Sequence, residues 1–525
     1  MRHKISVFVI IMMITCFDSK AFENNRKDTV PSRSGPTLNI GSELQLFIDD
    51  YIVEKTSGNI KYELHHPEAR EIAIEHDAPW EGSGSSFHSV FKDGDTYRMY
   101  YSAWDFTIKQ GKVTDDSHPY NLCYAESNDG ITWHKPNLGL VAFNGSKDNN
   151  ILMISGKLGD VYPDLGHPSV FKDANPDAPA DAKYKALIRD WSPASGMRGM
   201  LAFKSPDGIH WTLMHEKAVL TDGAFDSQNL AFWDEYKKEY RAYWRYMAGK
   251  EAIRSIRTAR SKDFINWTDQ HDLYYGNKAP ETQLYTNVIK TYYRAPQMVI
   301  GFPVRYVSRK WSASHRQLPD LANRELRATG EERFGTALTE SLVMSSRDRV
   351  NFKRWEEAFL RPGIERTGTW NYGQQYIAWS MVETASALPG APPEISLYAV
   401  EGFWGTIEKG KDVLRRYTIR QDGFVSVNAP MSGGEIVTKP FLFTGKNLLL
   451  NFSSSAAGEI KAELQDKNGK PLSGFSADDC EPVFGDTIER TVFWKSGADL
   501  SKLKGKTVKL RFVLKDADLY AFRFR

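Results

Sequence analysis

The sequence predicts an all-β protein: a five-bladed β-propeller followed by a C-terminal β-sandwich. Three observations carry this expectation. A turn motif, Ser-x-Asp-x-[Ile/Val]-x-aromatic, recurs at residues 127–133, 205–211, 261–267 and 346–352. Five pairs of strand-like runs interleave with it. Thirteen of the 14 Trp lie before residue 405, and the tail beyond about 418 changes to long alternating strands.

Each turn motif follows a short apolar run such as LCYAE or LAFK. Asp and Gly supply the turn, and the apolar residue and the aromatic alternate onto one buried face. The Asp residues stand 78, 56 and 85 positions apart, so the repeat is irregular in length. The paired runs start at His88 (HSVFKD, then YRMYYSAW), His167 (HPSVFKD, then YKALIRDW), Asn229 (NLAFWD, then YRAYWRYM), Asn287 (NVIK, then QMVIGFPVRY) and Tyr376 (YIAW, then ISLYAVEGFW). Each reads as an innermost strand and its neighbour, with the Ser-x-Asp hairpin joining strands three and four of a blade. The fifth unit lacks that hairpin, and residues 44–55, ELQLFIDDYIVE, are predicted to close it. Long amphipathic helices are nearly absent, 316–333 being the best candidate. It falls in a basic stretch, 305–333, inserted in the fourth blade. If that insertion overhangs the channel, its arginines favour an acidic or sulfated sugar. The tail strands, among them GFVSVNAP, GEIKAELQD and TVKLRFVLKD, indicate the sandwich.

The chain therefore divides into 1–21, a signal peptide; 22–43, a linker; 44–417, the propeller; and 418–525, the sandwich. Arg2 and Lys4 precede an apolar run at 5–16, and Ser19-Lys20-Ala21 supplies small residues for cleavage. The run is too short to span a bilayer comfortably. Export to the periplasm or the medium follows as an expectation, with no membrane span. Lys+Arg number 68 and Asp+Glu 66, so no global field favours nucleic acid. Three Cys, at 16, 123 and 480, rule out a Cys-based zinc fold, and no metal or cofactor is expected.

Ligands of propellers gather over the central channel, where the innermost strands begin. That geometry selects Asp226, Glu281 and Glu81 as catalytic candidates. Trp80, His88, His167, Gln228, Asn229, Asn287, Gln375 and Glu383 are candidates for binding. Amides and carboxylates bond sugar hydroxyls, aromatic faces stack on the ring, and paired carboxylates provide the acid and base of glycoside cleavage. Asp226 sits in AFDSQNLAF and Glu281 in APETQLYTNV, each polar immediately before an apolar strand. Arg189-Asp190 and Arg245 lie inside second strands, placed to shift carboxylate pKa values. Asp49-Asp50, in LFIDDYIV, reads as a turn.

The chain resembles the five-bladed propeller glycosidases, glycoside hydrolase families 32, 43, 68 and 117, and the phosphorylases of family 130. It is most similar to a bacterial family 32-like group. LFIDDYIVE, HDAPWEG, YAESNDGITWHKP, DGAFDSQNLAFWD, LYTN and DGFVSVNAP with SGGE carry that resemblance over nearly the whole chain after residue 43. The resemblance implies a propeller plus sandwich and three acids. The family 32 motifs Asn-Asp-Pro-Asn-Gly, Arg-Asp-Pro and Glu-Cys are absent. The function expected is an exported glycoside hydrolase with a carbohydrate partner. A phosphorylase, marked by clustered Arg or Lys at the channel, and a non-catalytic carbohydrate-binding propeller are the alternatives.

Overall fold

The computed structural model describes residues 37–114, 118–276, 279–404 and 412–525. The segment assigned to the signal peptide, and Cys16 with it, lies outside them. The fold is mostly β, a five-bladed propeller plus a curled C-terminal sheet, with two short α-helices.

The four Ser-x-Asp turns are built alike, from local chemistry. In the first, Ser127 Oγ donates to Asp129 Oδ1 (2.8 Å) and accepts from Gly130 N (2.9 Å). Asp129 Oδ1 also accepts from Ile131 N (2.7 Å) and Thr132 N (2.8 Å). Asp207, Asp263 and Asp348 repeat the pattern. The fourth position of each turn needs positive φ. Gly130 (72°) and Gly208 (79°) adopt it freely, whereas Phe264 (69°) and Arg349 (78°) adopt it under strain. The closing aromatics Trp133 and Phe352 are buried in the blade cores.

These turns tie four-stranded antiparallel blades. The first consists of Gly84–Asp93, Thr96–Trp104, Asn121–Ser127 and Ile151–Ile154. The second is Pro163–Lys172, Tyr184–Ser192, Gly196–Ser205 and Thr212–Leu213, and the third Leu230–Asp234, Glu239–Ala248, Ile253–Ser261 and Trp267–Asp272. In the fourth, Lys290–Tyr292, Ala295–Gly301, Met344–Ser346 and Lys353–Arg354, an insertion separates strands two and three. The insertion holds a hairpin, Val304–Ser308 with Ala337–Ser341, and the helices Leu321–Gly330 and Glu332–Thr336.

The fifth blade is Val382–Thr384, Glu394–Glu401, Val413–Ile419 and, from before the first blade, Glu68–Glu75. This corrects the expectation that 44–55 closes the ring. The strand 68–75, EAREIAIE, is mostly exposed, as an outermost edge strand must be. Residues 44–48 of the segment 44–55 are instead buried on both sides. Phe47 and Ile52 enter the core of the C-terminal sheet, while Leu44, Leu46 and Ile48 pack on the propeller. A strand apolar on both faces is a wedge between layers, not an edge.

The C-terminal unit is one curled, sandwich-like eight-stranded sheet around the long strands Leu448–Gln465 and Lys509–Phe524. Three strands from the N-terminal side complete it: Gln45–Leu46 pairs with Lys509–Phe524, Val53–Gly58 with Gly434–Thr438, and Lys61–Leu64 with Val425–Ala429, while Leu38–Gly41 and Phe441–Phe443 form a separate two-stranded parallel sheet. It is fastened to the propeller by Gln297, which donates to the Leu44 carbonyl (2.6 Å), and by Asp422, which accepts from Tyr292 (2.6 Å) and Arg294 (2.9 Å). Asp49 is a turn residue paired with Arg347 (2.8 Å). Cys123 and Cys480 are buried free thiols, one in each unit. Among the described residues, no helix is long and apolar enough to cross a membrane.

Candidate functional site

The innermost strands break register where the channel opens. Pairing shifts between Ser86 and Ser89 in the first blade and between Asp164 and Ser169 in the second. The bulges free Phe87, at φ 53°, and His167 from the ladder, and their rings meet at 4.3 Å between centroids. Both line a cavity of about 200 Å³, together with Asp226 from the start of the third blade and Tyr285, Tyr372 and Tyr376 from the fourth and fifth.

The cavity has a roof. Phe106 and Val113 come from the first-blade hairpin Thr107–Lys109 with Lys112–Thr114, and Arg333 and Phe334 from the helix Glu332–Thr336. A Cβ on Gly330 would meet Val113 Cγ2 at 2.9 Å, so the two lids pack directly. Phe334 stacks edge-on to Trp404 (5.2 Å), and Phe106 lies 5.7 Å from the same ring. Gly373 is obligatory beneath, because a Cβ there would fall 1.9 Å from the Phe403 ring.

Asp226 is the carboxylate of this cavity. Arg189 Nη1 donates to its Oδ1 (3.1 Å), Arg245 Nη2 to its Oδ2 (3.4 Å), and His167 Nε2 stands 3.5 Å from Oδ1. The Asp226 side chain remains 63% exposed, so its free face is available to a ligand. Burial pushes its carboxyl up, but His167, Arg189 and Arg245 together hold it well below the usual carboxylate range. Burial and the two guanidiniums push His167 well below its own usual value. With His167 neutral, the arginines carry the effect. Arg189 also clasps Asp164 Oδ1 (2.7 Å), so one guanidinium bridges the starts of the second and third blades. A Cβ on Gly166 would lie 2.6 Å from that guanidinium, which explains the glycine.

The remaining candidates frame or avoid this cavity. Asn229 shapes the Asp226 loop by donating to the carbonyls of Phe225 (3.0 Å) and Ser227 (2.6 Å) and accepting from Arg245 N (3.1 Å). Gln228 is buried below it and donates to the carbonyls of Phe87 (2.7 Å) and Pro168 (3.1 Å), stapling three blades across the channel. Asn287 reaches the Tyr243 carbonyl (3.4 Å), and Gln375, at φ 59°, donates to Tyr417 (3.4 Å); both are buried braces.

Glu81 is fully buried outside the cavity, accepting from Tyr101 (2.6 Å), Ala78 N (2.8 Å) and Lys135 (2.7 Å). His88 is buried beside His76 (3.1 Å), which pairs with Asp412 (3.0 Å). Trp80 bonds Asn150 (2.7 Å). Glu281 is exposed and does not line the cavity; its neighbour Pro280 accepts from Arg354 (2.7 Å). Glu383 accepts from Gln421 (2.6 Å) and Tyr293 (3.3 Å), away from the cavity. The structure thus brings His167 and Asp226 together, with Asn229 and Gln228 behind them, and leaves Glu281, Glu81 and Glu383 elsewhere. Arg333 belongs to the basic insertion 305–333, whereas nothing in the local sequence of Tyr372 distinguishes it from a core residue. Among the described residues, no cluster of three or more His, Cys, Asp or Glu is placed to hold a metal ion.

No protein-family model matches the chain, and no curated protein matches it. Among solved structures, the chain is similar to the endo-arabinase of Bacteroides thetaiotaomicron, at 12% identity and a TM-score of 0.37, over 67% of this chain and 98% of that one. It is similar to the beta-xylosidase RS223, at 10% and 0.40, over 69% and 97%. It is also similar to an N-acetylgalactosamine deacetylase from F. plautii in complex with blood group B trisaccharide, at 10% and 0.42, over 68% and 94%. At such identities the site has to be read from its own residues.

Proposed function

We propose that the protein is a carbohydrate-active enzyme, a glycoside hydrolase that works in the cavity around Asp226. The observation that carries this is an ionised carboxylate, pinned by two arginines, presenting its free face to a roofed cavity lined by tyrosines and tryptophan. Aromatic walls suit the faces of a sugar ring, and tyrosine hydroxyls suit its hydroxyls. Asp226 serves as the ionised member of the acid–base pair that glycoside cleavage requires. Asp164, held by the same guanidinium, is buried beside it and does not line the cavity. At about 200 Å³ under a roof, the cavity is sized for a single sugar residue, which favours removal of a terminal unit over cleavage within a chain.

The arginines also favour a second reading, phosphorolysis, in which phosphate replaces water as the acceptor. The same assay separates the two. Turnover of a panel of oligosaccharides, followed by product NMR, should proceed in phosphate-free buffer and yield a free reducing sugar. A sugar phosphate formed only when phosphate is added would favour the phosphorylase. Export belongs to the proposal too: the N-terminus of the exported protein should be Phe22.

A further inference from the structure

Among the described residues, guanidiniums outnumber carboxylates around the cavity and its lid. The lid helix Leu321–Gly330 buries two guanidiniums, Arg324 at 0% exposure and Arg327 at 1%. Arg327 donates to the Trp404 carbonyl (3.1 Å) and to Asn371 Oδ1 (2.9 Å), and Arg324 to the carbonyls of Pro319 (2.7 Å) and Trp370 (2.6 Å). Among the described residues, neither forms an ion pair. Burial lowers them to about 10 and about 9, so both stay cationic near neutral pH.

Arg254 lies over the rings of Tyr285 (5.6 Å) and Tyr306 (4.9 Å), with Gln283 as its hydrogen-bond partner and no carboxylate. Arg333, in the cavity wall, donates through Nε to Glu331 (2.5 Å) and lies over the rings of Phe334 (4.4 Å) and Tyr372 (6.0 Å); its terminal nitrogens have no hydrogen-bond partner among the described residues. Behind the wall, Arg245 Nη1 and Arg189 Nε are buried and equally unpartnered, on side chains 4% and 7% exposed. Among the described residues, six guanidiniums stand against Asp164, Asp226 and Glu331, with Asp320 acting on Arg324 and Arg327 and Glu365 on Arg324. Buried cations without counter-charge are costly, and a concave site ringed by them concentrates anions.

We propose, resting on the reading of this cavity as the sugar site, that the sugar it takes carries its own anionic group, a carboxylate or a sulfate, met by the free end of Arg333. The guanidiniums of the lid and wall supply the field, and Arg333 supplies the directed, two-pronged contact. The Asp226 carboxylate faces the reacting centre, and the two arginines that pin it offset its repulsion of the ligand.

Calorimetric titration of the full chain tests this with D-glucuronate, D-galacturonate and galactose 6-sulfate, each against its neutral parent sugar, and with inorganic phosphate. One acidic sugar should bind at least about tenfold tighter than its parent, the scale of a charged hydrogen bond. Which pair shows the preference tells carboxylate from sulfate. Arg333→Gln should bring that preference towards one, and Arg333→Lys should keep part of it. Equal or better binding of every neutral parent overturns the proposal, as does binding of phosphate with no preference among sugars. If an acidic sugar is preferred but no glycoside is cleaved, the anion site stands and the hydrolase reading falls. If neutral glycosides are cleaved, Asp226→Asn abolishes the cleavage and no preference is found, the hydrolase reading stands and this proposal falls.

Discussion

At one end of the propeller channel the Asp226 carboxylate is gripped by Arg189 and Arg245 and opens onto a roofed cavity. At the opposite end, where the innermost strands of the first and second blades finish at Asp93 and Lys172, the Lys290 ammonium stands among rings. It lies 4.5 Å from the centroid of Phe232, 5.2 Å from Trp379 and 5.7 Å from Phe171. Gln228 closes the channel between the two ends. Each is a charge in a concave place, but their surroundings act in opposite senses. Arginines outweigh burial at Asp226 and fix it in its charged form. At Lys290 burial dominates, the nearest carboxylates only partly offset it, and the pKa falls to about 8. Charge held by hydrogen-bonding counter-ions with one face open is equipped for chemistry; charge held by rings alone closes a channel.

The largest expected effect tests the first end. Asp226→Asn keeps shape and removes charge, and should lower kcat by at least about 100-fold while the melting temperature hardly moves. A folded variant with wild-type turnover would end the assignment.

Next in size is Glu81→Gln. It strands the Lys135 ammonium, which is then left with the exposed Asp77. Breaking such a largely buried pair should cost about 2–4 kcal/mol in denaturant unfolding, with turnover of the remaining folded protein unchanged. A rate loss without destabilisation would move Glu81 into the chemistry.

Lys290→Met probes the other end. The folded pKa of about 8 lies below the unfolded 10.5, so the unfolded chain holds the proton more tightly between those values. The penalty is therefore fully present below about pH 8 and fades as pH rises towards 10.5. The variant should be more stable than the parent by about 1–3 kcal/mol at pH 7, with the advantage shrinking at pH 10. An advantage independent of pH would contradict the account.

The smallest expected effect is that of Glu281→Gln. The side chain is exposed and outside the cavity, so turnover should change less than about twofold and stability by less than about 0.5 kcal/mol. A large rate loss would place a second acid at Glu281 and restore the pair expected from the sequence.

The sequence by itself determined what is built from neighbours along the chain. Ser127 and Asp129 make their turn with atoms no more than three residues away, so four spaced copies were enough to reveal blades. The polar run Asp226-Ser-Gln-Asn before an apolar strand marked the loop that carries the site carboxylate, and Arg189 and Arg245 were legible as groups in second strands able to shift a carboxylate pKa, though not which one. Tertiary structure decided the rest. Whether 44–55 or 68–75 closes the fifth blade depends on which face each strand buries, and alternation cannot say against what. Glu281 and Asp226 look alike in sequence, yet only Asp226, just before the strand Leu230–Asp234, meets Arg189 of the neighbouring blade. Arg333, Tyr372 and Tyr376 reach the cavity through a lid and through blades remote in sequence. The basic insertion that carries Arg333 was visible in the sequence, but its place over the cavity, like that of the two tyrosines, is fixed by long-range packing, which leaves no local signature.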